Sequence, residues 1–431
     1  MATFGSGRGL TREAQQAPEK TSRKPQPQVL QDDKDIIHAL GLDWTPDDTM
    51  RYLEKVPRFY LRRLQVNELP VPVGVYCAES ETIKQHWEEA WEDLPYADKR
   101  IGKTSGRQIQ VIHRSRFAHI IRRGESGLFF DEATQELVFA RLPRIVRDDA
   151  ILKAMDEVCK GAARERRGDR RDDPGILTGI GYTGGSRKDR KPTLAGSFLR
   201  RNMKPEEKAR IHLEESGVAT LASNILKPRI PAEVVADYDS AIARRGFRRM
   251  DAGLDDGLYS VWSKDRATEW RFRFDEAAPP QGAMSMNYAR FTHREDGVNV
   301  YGLALTTVST ADPSTGGNFY VAQYGILSVA EGNTATVWRV NDYHGTSLYE
   351  RIPRQNSGVA LFVPTSLIPN SDQPAPHNFT RADLAAVERP PPTKRGAAIN
   401  SRRTTEGVNE YYVRGETPEE EGAEEGEEHR A

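Results

Sequence analysis

The chain has 431 residues, a formal net charge of −1, a mean hydropathy of −0.68 and two cysteines, Cys77 and Cys159. That length suits two or three domains with a sizeable core. The cysteine count excludes a disulfide scaffold and a cysteine-rich zinc site, and it fits a reducing compartment. No apolar run is long enough to span a membrane, and the opening residues carry no apolar signal core.

Residues 1–34 are rich in Gly, Gln, Pro, Lys and Glu and read as a disordered arm. Its basic pair Arg23-Lys24 reads first as part of a solvated arm and second as a nuclear import signal, so a nuclear or otherwise cytoplasmic protein is expected. Residues 35–160 read as a mixed helix and hairpin region. Thr45 caps a helix with Pro46 at its first position. ESETIKQHWEEAWEDLP is an amphipathic helix with Ile83, Trp87 and Trp91 on one stripe. GLFFDEATQELVFARLP is a hairpin, two apolar runs around a polar turn. A helix then follows with Ile151, Met155 and Val158 inward. His113 and His119 stand among Arg and Phe, away from any carboxylate at ligand spacing.

A charged, Gly-broken stretch at 161–174 is the expected linker. Beyond it the chain is Gly-rich and basic: from Arg164 to Arg210 basic residues outnumber acidic ones fourteen to seven. Arg187, Lys188, Arg190, Lys191, Arg200 and Arg201 are the candidate phosphate contacts, because glycine lets the backbone approach while Lys and Arg release counterions. A surface loop is the plain alternative. No GKS or GKT completes a phosphate-binding loop. One or two helices follow, broken at Pro228 or Pro231. Short strands separated by Gly, Asp and Asn turns run on to Val363. Residues 373–431 read as a Pro-rich, then acidic disordered tail, whose last sixteen residues hold eight glutamates; such a tail can hold a basic partner.

The chemistry gathers between Met286 and Val363. His293 and Glu295 form a His-x-Glu, and at i and i+2 of a strand both would face one way. His344 is the second histidine of the region. Two imidazoles and one carboxylate on a β-scaffold suit a non-haem iron(II) centre with open positions. A keto acid bound there needs a buried cation, preferably an arginine fork, and Arg354 and Arg351 compete for that role. A hydrogen-bonded His-Glu pair on a hairpin is the structural alternative.

With these residues in place, the sequence resembles the fungal TET/J-binding-protein-type dioxygenases, the expanded basidiomycete group found beside transposons. The likeness covers about residues 175–367. It rests on GYTGGSRK (Gly181 to Lys188), the helical SGVATLASNILKPRIPAEVV, His293-Arg294-Glu295, Gly316-Gly317, His344 and Arg354, the last four spaced 23, 28 and 10 residues apart. The carboxylate is Glu295 where that family usually has Asp. The resemblance implies an α+β chain whose catalytic core, 175–372, is a cupin-like jelly roll, a double-stranded β-helix buttressed by helices. It implies Fe(II) held by His293, Glu295 and His344, and 2-oxoglutarate anchored by Arg354 or Arg351. It further implies oxidation of a methyl group of 5-methylcytosine or N6-methyladenine in DNA, with the base flipped out of the duplex. Tyr288, Arg290 and Tyr343 flank the ligands and are candidates for the base pocket. A monomer is expected. An inactive jelly roll that binds DNA or chromatin, and an oxygenase of a protein or small molecule, are the rival readings.

Overall fold

The structure is a computed structural model. It describes residues 28–29, 37–38, 40–92, 108–165, 173–183, 193–194, 203–245, 249–250, 258–265, 267–273, 279–350, 352 and 354–362. The arm expected at 1–34, apart from Gln28–Val29, the tail expected at 373–431 and the six basic candidates between Arg187 and Arg201 lie outside them.

The strands, in chain order, begin with β1 (Gln28–Val29), β2 (Arg58–Leu61), β3 (Tyr76–Ala78), β4 (Ile109–Val111), β5 (His119–Ile121), β6 (Gly127–Asp131) and β7 (Leu137–Pro143). They continue with β8 (Ile176–Thr183), β9 (Thr193–Leu194), β10 (Leu258–Trp262), β11 (Thr268–Arg273), β12 (Gln281–Met286) and β13 (Arg290–His293). The last are β14 (Tyr301–Ser309), β15 (Phe319–Val321), β16 (Ile326–Ser328), β17 (Thr334–Arg339), β18 (His344–Thr346) and β19 (Asn356–Phe362). The helices are α1 (Pro46–Glu54), α2 (Glu81–Glu92), α3 (Asp149–Glu165), α4 (Pro205–Leu226) and α5 (Ala232–Arg245).

Two sheets carry the architecture. One has nine strands in the order β2-β6-β7-β17-β14-β19-β12-β8-β9; the other has five, β13-β18-β15-β16-β5. The eight consecutive strands β12 to β19 are shared between them, with β17-β14-β19-β12 neighbours in one and β13-β18-β15-β16 in the other. Along β14 the side chains alternate. Leu303 and Leu305 face the helix side and join the large core with Val218, Leu221 and Met155. Ala304 and Thr306 face a cavity that the five-stranded sheet closes from the opposite side. This is the period-two pattern of a sheet buried on both faces. Cutting back a side chain such as Leu305, fully buried, would cost about 2–5 kcal/mol.

Several sequence expectations are met here. Thr45 caps α1 in a reciprocal capping box with Asp48, and Pro46 stands at the first position. β6 and β7 are the expected antiparallel hairpin. Ile83 and Trp87 are buried on α2, and the Trp87 indole N–H donates to the Tyr349 carbonyl at 2.6 Å. The break between α4 and α5 falls at the two prolines.

Other expectations differ. Gly161 was expected to break the chain, but α3 runs through it to Glu165 because its apolar stripe continues into the buried Ala162 and Ala163. The stretch opening the Gly-rich region is strand β8, paired along its length with β12. The large sheet also runs across the expected linker. β7 pairs with β17 and β5 pairs with β16, so residues on both sides of 161–174 share the same two sheets.

Candidate metal centre

His293 ends β13 and His344 begins β18, and the register makes them direct cross-strand partners. Opposed residues of an antiparallel pair share one face, so the two imidazoles meet with ring centroids 4.4 Å apart. His293 Nδ1 lies 2.9 Å from the Phe291 carbonyl and His344 Nδ1 lies 2.8 Å from the Asp342 carbonyl. A carbonyl oxygen only accepts, so each Nδ1 donates, and in the neutral imidazole Nε2 is the nitrogen that can take a metal. That is the arrangement in which histidine binds a metal.

Glu295 completes the group. One ligand atom from each of His293, Glu295 and His344 lies within 4.8 Å of the others. His344 is buried at 3 % exposure. The Glu295 side chain is the open one at 39 %, with its Oε1 3.5 Å from His293 Nε2. Strand alternation is not what places it. β13 stops at His293, and Glu295 is held beyond the strand end by its own N–H, which donates to the Val340 carbonyl at 2.8 Å.

The other candidates divide. Arg290 lies against the Glu295 carboxylate, its Nη1 3.3 Å from Oε1, and its guanidinium covers the Phe291 ring. Tyr288 lines the cavity between the sheets and donates its hydroxyl to Asp173 at 2.7 Å. Tyr343 faces the opposite way from its neighbour His344. It packs against the cluster around Leu69, Val71 and Tyr320 and lies under Arg294, 5.6 Å from the guanidinium carbon to the ring centre. Arg351 lies outside the described residues.

Arg354 is 4 % exposed. Its Nη1 and Nη2 donate to the carbonyls of Thr315 and Gly316, each at 3.3 Å, and it stacks over the Tyr349 ring at 4.7 Å. Among the described residues its Nε has no hydrogen-bond partner. Among the described residues it meets no carboxylate at ion-pair distance, and burial pulls its guanidinium below the usual value. The two glycines explain how it fits. Gly316 and Gly317 adopt φ of +80° and +75°, and a Cβ on Gly317 would lie 2.4 Å from Arg354 Nη2. Gly317 in turn lines the cavity, about 150 Å³ in volume, together with Ser285, Thr306, Thr336, Thr346 and Asn356. A space of that size takes a molecule such as benzene.

Sequence reasoning missed several residues that frame this centre. Asp173 stood in the expected linker, yet it is buried and collects the hydroxyls of Tyr76 and Tyr288. Asp342 is 1 % exposed and pairs with Arg63 at 2.7 Å, which ties the carbonyl beneath His344 to the N-terminal region. Phe319 and Trp338 each stand 5.9 Å from the His344 ring. Their signal in the sequence was only that of ordinary strand aromatics.

No family model matches the chain, and no curated protein matches it. Among solved structures it is similar to NgTET1 in complex with 5mC DNA, at 11% identity and a TM-score of 0.37, over 59% of this chain and 86% of that one. It is also similar to a prolyl-4-hydroxylase of Pseudomonas putida (12%, TM-score 0.27, 52% of this chain and 92% of that one). A third is IDO from Bacillus thuringiensis (9%, TM-score 0.24, 52% and 91%).

Proposed function

We propose that this chain is an Fe(II)- and 2-oxoglutarate-dependent dioxygenase that oxidises the methyl group of a methylated nucleobase in DNA. The observation that carries the reading is the convergence of His293, Glu295 and His344, with each histidine Nδ1 set on a backbone carbonyl so that Nε2 is the nitrogen a metal would take. One donor atom from each of the three lies within 4.8 Å of the others. Nitrogen and carboxylate donors of this kind, on one side of an ion, are the donor set of a non-haem iron site. The strand order of β12 to β19 supports the double-stranded β-helix as the scaffold, with α3, α4 and α5 as its buttress.

When bound, the iron and keto acid would supply the oxidising chemistry, coupled to decarboxylation of 2-oxoglutarate to succinate. The chain's own residues bind and orient. Arg354 is a buried cation with no carboxylate at ion-pair distance among the described residues, which suits it to hold the far carboxylate of the keto acid. Phe319 and Trp338 keep water from the inner side of His344. Tyr288 is placed to meet a ligand in the cavity. The DNA substrate follows from the resemblance, and the base would have to leave the stack to reach the metal. The basic residues Arg187, Lys188, Arg190, Lys191, Arg200 and Arg201 are proposed to contact its backbone.

The test is mass spectrometry of oligonucleotides carrying 5-methylcytosine or N6-methyladenine after incubation with the protein, Fe(II) and 2-oxoglutarate. Oxidised methyl groups and stoichiometric succinate are expected. Succinate formed with no dependence on methylated DNA would move the substrate to a protein or small molecule. Metal content unchanged in both His293→Ala and His344→Ala would overturn the oxygenase reading. Alanine at Lys188, Arg190 and Lys191 should flatten the salt dependence of DNA binding.

A further inference from the structure

Glu295 raises a physical difficulty. It is one methylene longer than the aspartate the resemblance leads one to expect, and it stands past the end of β13, where no strand geometry aims it. A free glutamate side chain loses rotamer freedom when it is fixed, up to roughly 1.5–2 kcal/mol. Something has to hold it.

Arg290 occupies that position. Its Nη1 meets Glu295 Oε1 at 3.3 Å. It lies on the same strand as His293, so the cation and the first imidazole share a rigid element. Its Nε lies 3.8 Å from Asp173 Oδ2. Asp173 is itself anchored on both oxygens, Oδ1 accepting from Tyr76 at 2.6 Å and Oδ2 from Tyr288 at 2.7 Å. The arginine side chain is 16 % exposed and the Asp173 side chain 7 %, so neither charge is screened as a surface pair would be. Tyr288 closes the chain at its other end, since it also lines the cavity between the sheets.

We infer that Arg290 is the positioning residue of the metal carboxylate, held by Asp173, and that through Tyr288 it links the cavity wall to Glu295. This rests on the metal-centre reading above. A carboxylate offers about four lone-pair sites on two oxygens, so an arginine and a metal ion can share it. The guanidinium then sets the carboxylate plane. The opposite role is equally concrete: an arginine on Oε1 could compete with the ion. The two roles predict effects of opposite sign.

The experiment is titration of the metal-free full chain with Co(II) alone, read by visible absorbance, for the wild type, Arg290→Gln, Glu295→Gln and the double variant. Removal of such an outer partner typically weakens metal binding 10- to 100-fold. That loss is expected for Arg290→Gln in the wild-type background and should vanish once Glu295 is already Gln. A loss of the same size in both backgrounds would show a merely structural role and overturn the inference. So would unchanged or tighter binding in Arg290→Gln. Should Arg290→Gln fail to fold, Tyr288→Phe decides. It removes one hydroxyl hydrogen bond, worth about 0.5–1.5 kcal/mol, so Co(II) affinity should fall about 2- to 10-fold, again only when Glu295 is present. A wild type that binds no Co(II) defeats the metal-centre reading itself, an outcome distinct from wild-type binding that Arg290 does not influence.

Discussion

Gly317→Ala separates the proposed keto-acid anchor from the proposed metal ligands. A Cβ at this position would lie 2.4 Å from Arg354 Nη2 and 3.1 Å from its Cζ. Both atoms are the far end of a long side chain, so the guanidinium can swing aside at little steric cost. The backbone cannot adapt as easily, because alanine at φ +75° costs about 1–3 kcal/mol of local strain. In a core of this size each kcal/mol lowers Tm by roughly 2–4 °C, and that is the expected stability change. The functional change should be larger. A displaced arginine loses a charge-assisted hydrogen bond to the keto acid worth about 1.5–3 kcal/mol, or roughly 10- to 150-fold in Kd. Calorimetric titration of 2-oxoglutarate into the Mn(II)-loaded protein reads this directly. Co(II) affinity without keto acid should stay at the wild-type value, since Arg354 touches none of the three ligands. Gly316→Ala is the control. Its Cβ would meet the Leu348 carbonyl oxygen at 2.1 Å, a backbone atom that cannot move alone, so this variant should lose the fold before it loses the ligand. Wild-type affinity for 2-oxoglutarate in both Gly317→Ala and Arg354→Gln would refute the anchor.

Three further outcomes are expected. Arg63→Ala leaves the buried carboxylate of Asp342 only the longer 3.8 Å contact to Arg339, which should cost about 1–3 kcal/mol in urea unfolding; adding Asp342→Asn should restore most of it, and a double variant no more stable than the single one would refute the pairing. Leu305→Ala, at a fully buried position of β14, should cost about 2–5 kcal/mol, and a loss under 1 kcal/mol would contradict the packing of that sheet against the helices. Asp237 accepts the N–H groups of Val300 and Tyr301, and burial holds its carboxyl above the usual range. The folded chain therefore binds that proton more tightly than the unfolded one. The associated stability is full below the ordinary aspartate pKa and is lost as pH rises through the raised value. Asp237→Asn should remove that part of the slope of unfolding free energy against pH, and an identical slope would refute it.

The parts of the fold that were legible in the sequence are those decided locally. The capping box at Thr45 and Asp48, the β6–β7 hairpin and the inward stripe of α3 each follow from residues a few positions apart. What was not legible is decided by pairing across long separations. Ile176–Thr183 reads as a Gly-rich loop until β12 lies beside it and supplies its hydrogen bonds. Likewise the strands of the N-terminal region look like a separate unit until β7 meets β17. Which of two adjacent turn formers takes the left-handed position was not legible either: it is Asn333, at φ +53°, while Gly332 beside it has no positive φ.

The proposed site shows the same division more sharply. The two histidines could be chosen from spacing, and the register of β13 on β18 supplies the reason they meet. Glu295 was chosen by an alternation argument that does not operate, because the strand has ended and a hydrogen bond to Val340 holds the backbone instead. The proposed residue was reached through a cause the structure does not show, and the cause matters for engineering the site. If alternation aimed the carboxylate, Glu295→Asp would keep its direction and lose only reach. If Arg290 and the Val340 contact aim it, the shorter side chain draws back from the arginine and from the ion together. Glu295→Asp should then lose as much Co(II) affinity as Arg290→Gln, about 10- to 100-fold, and combining the two should add little. Independent, additive losses would return the aim to the backbone.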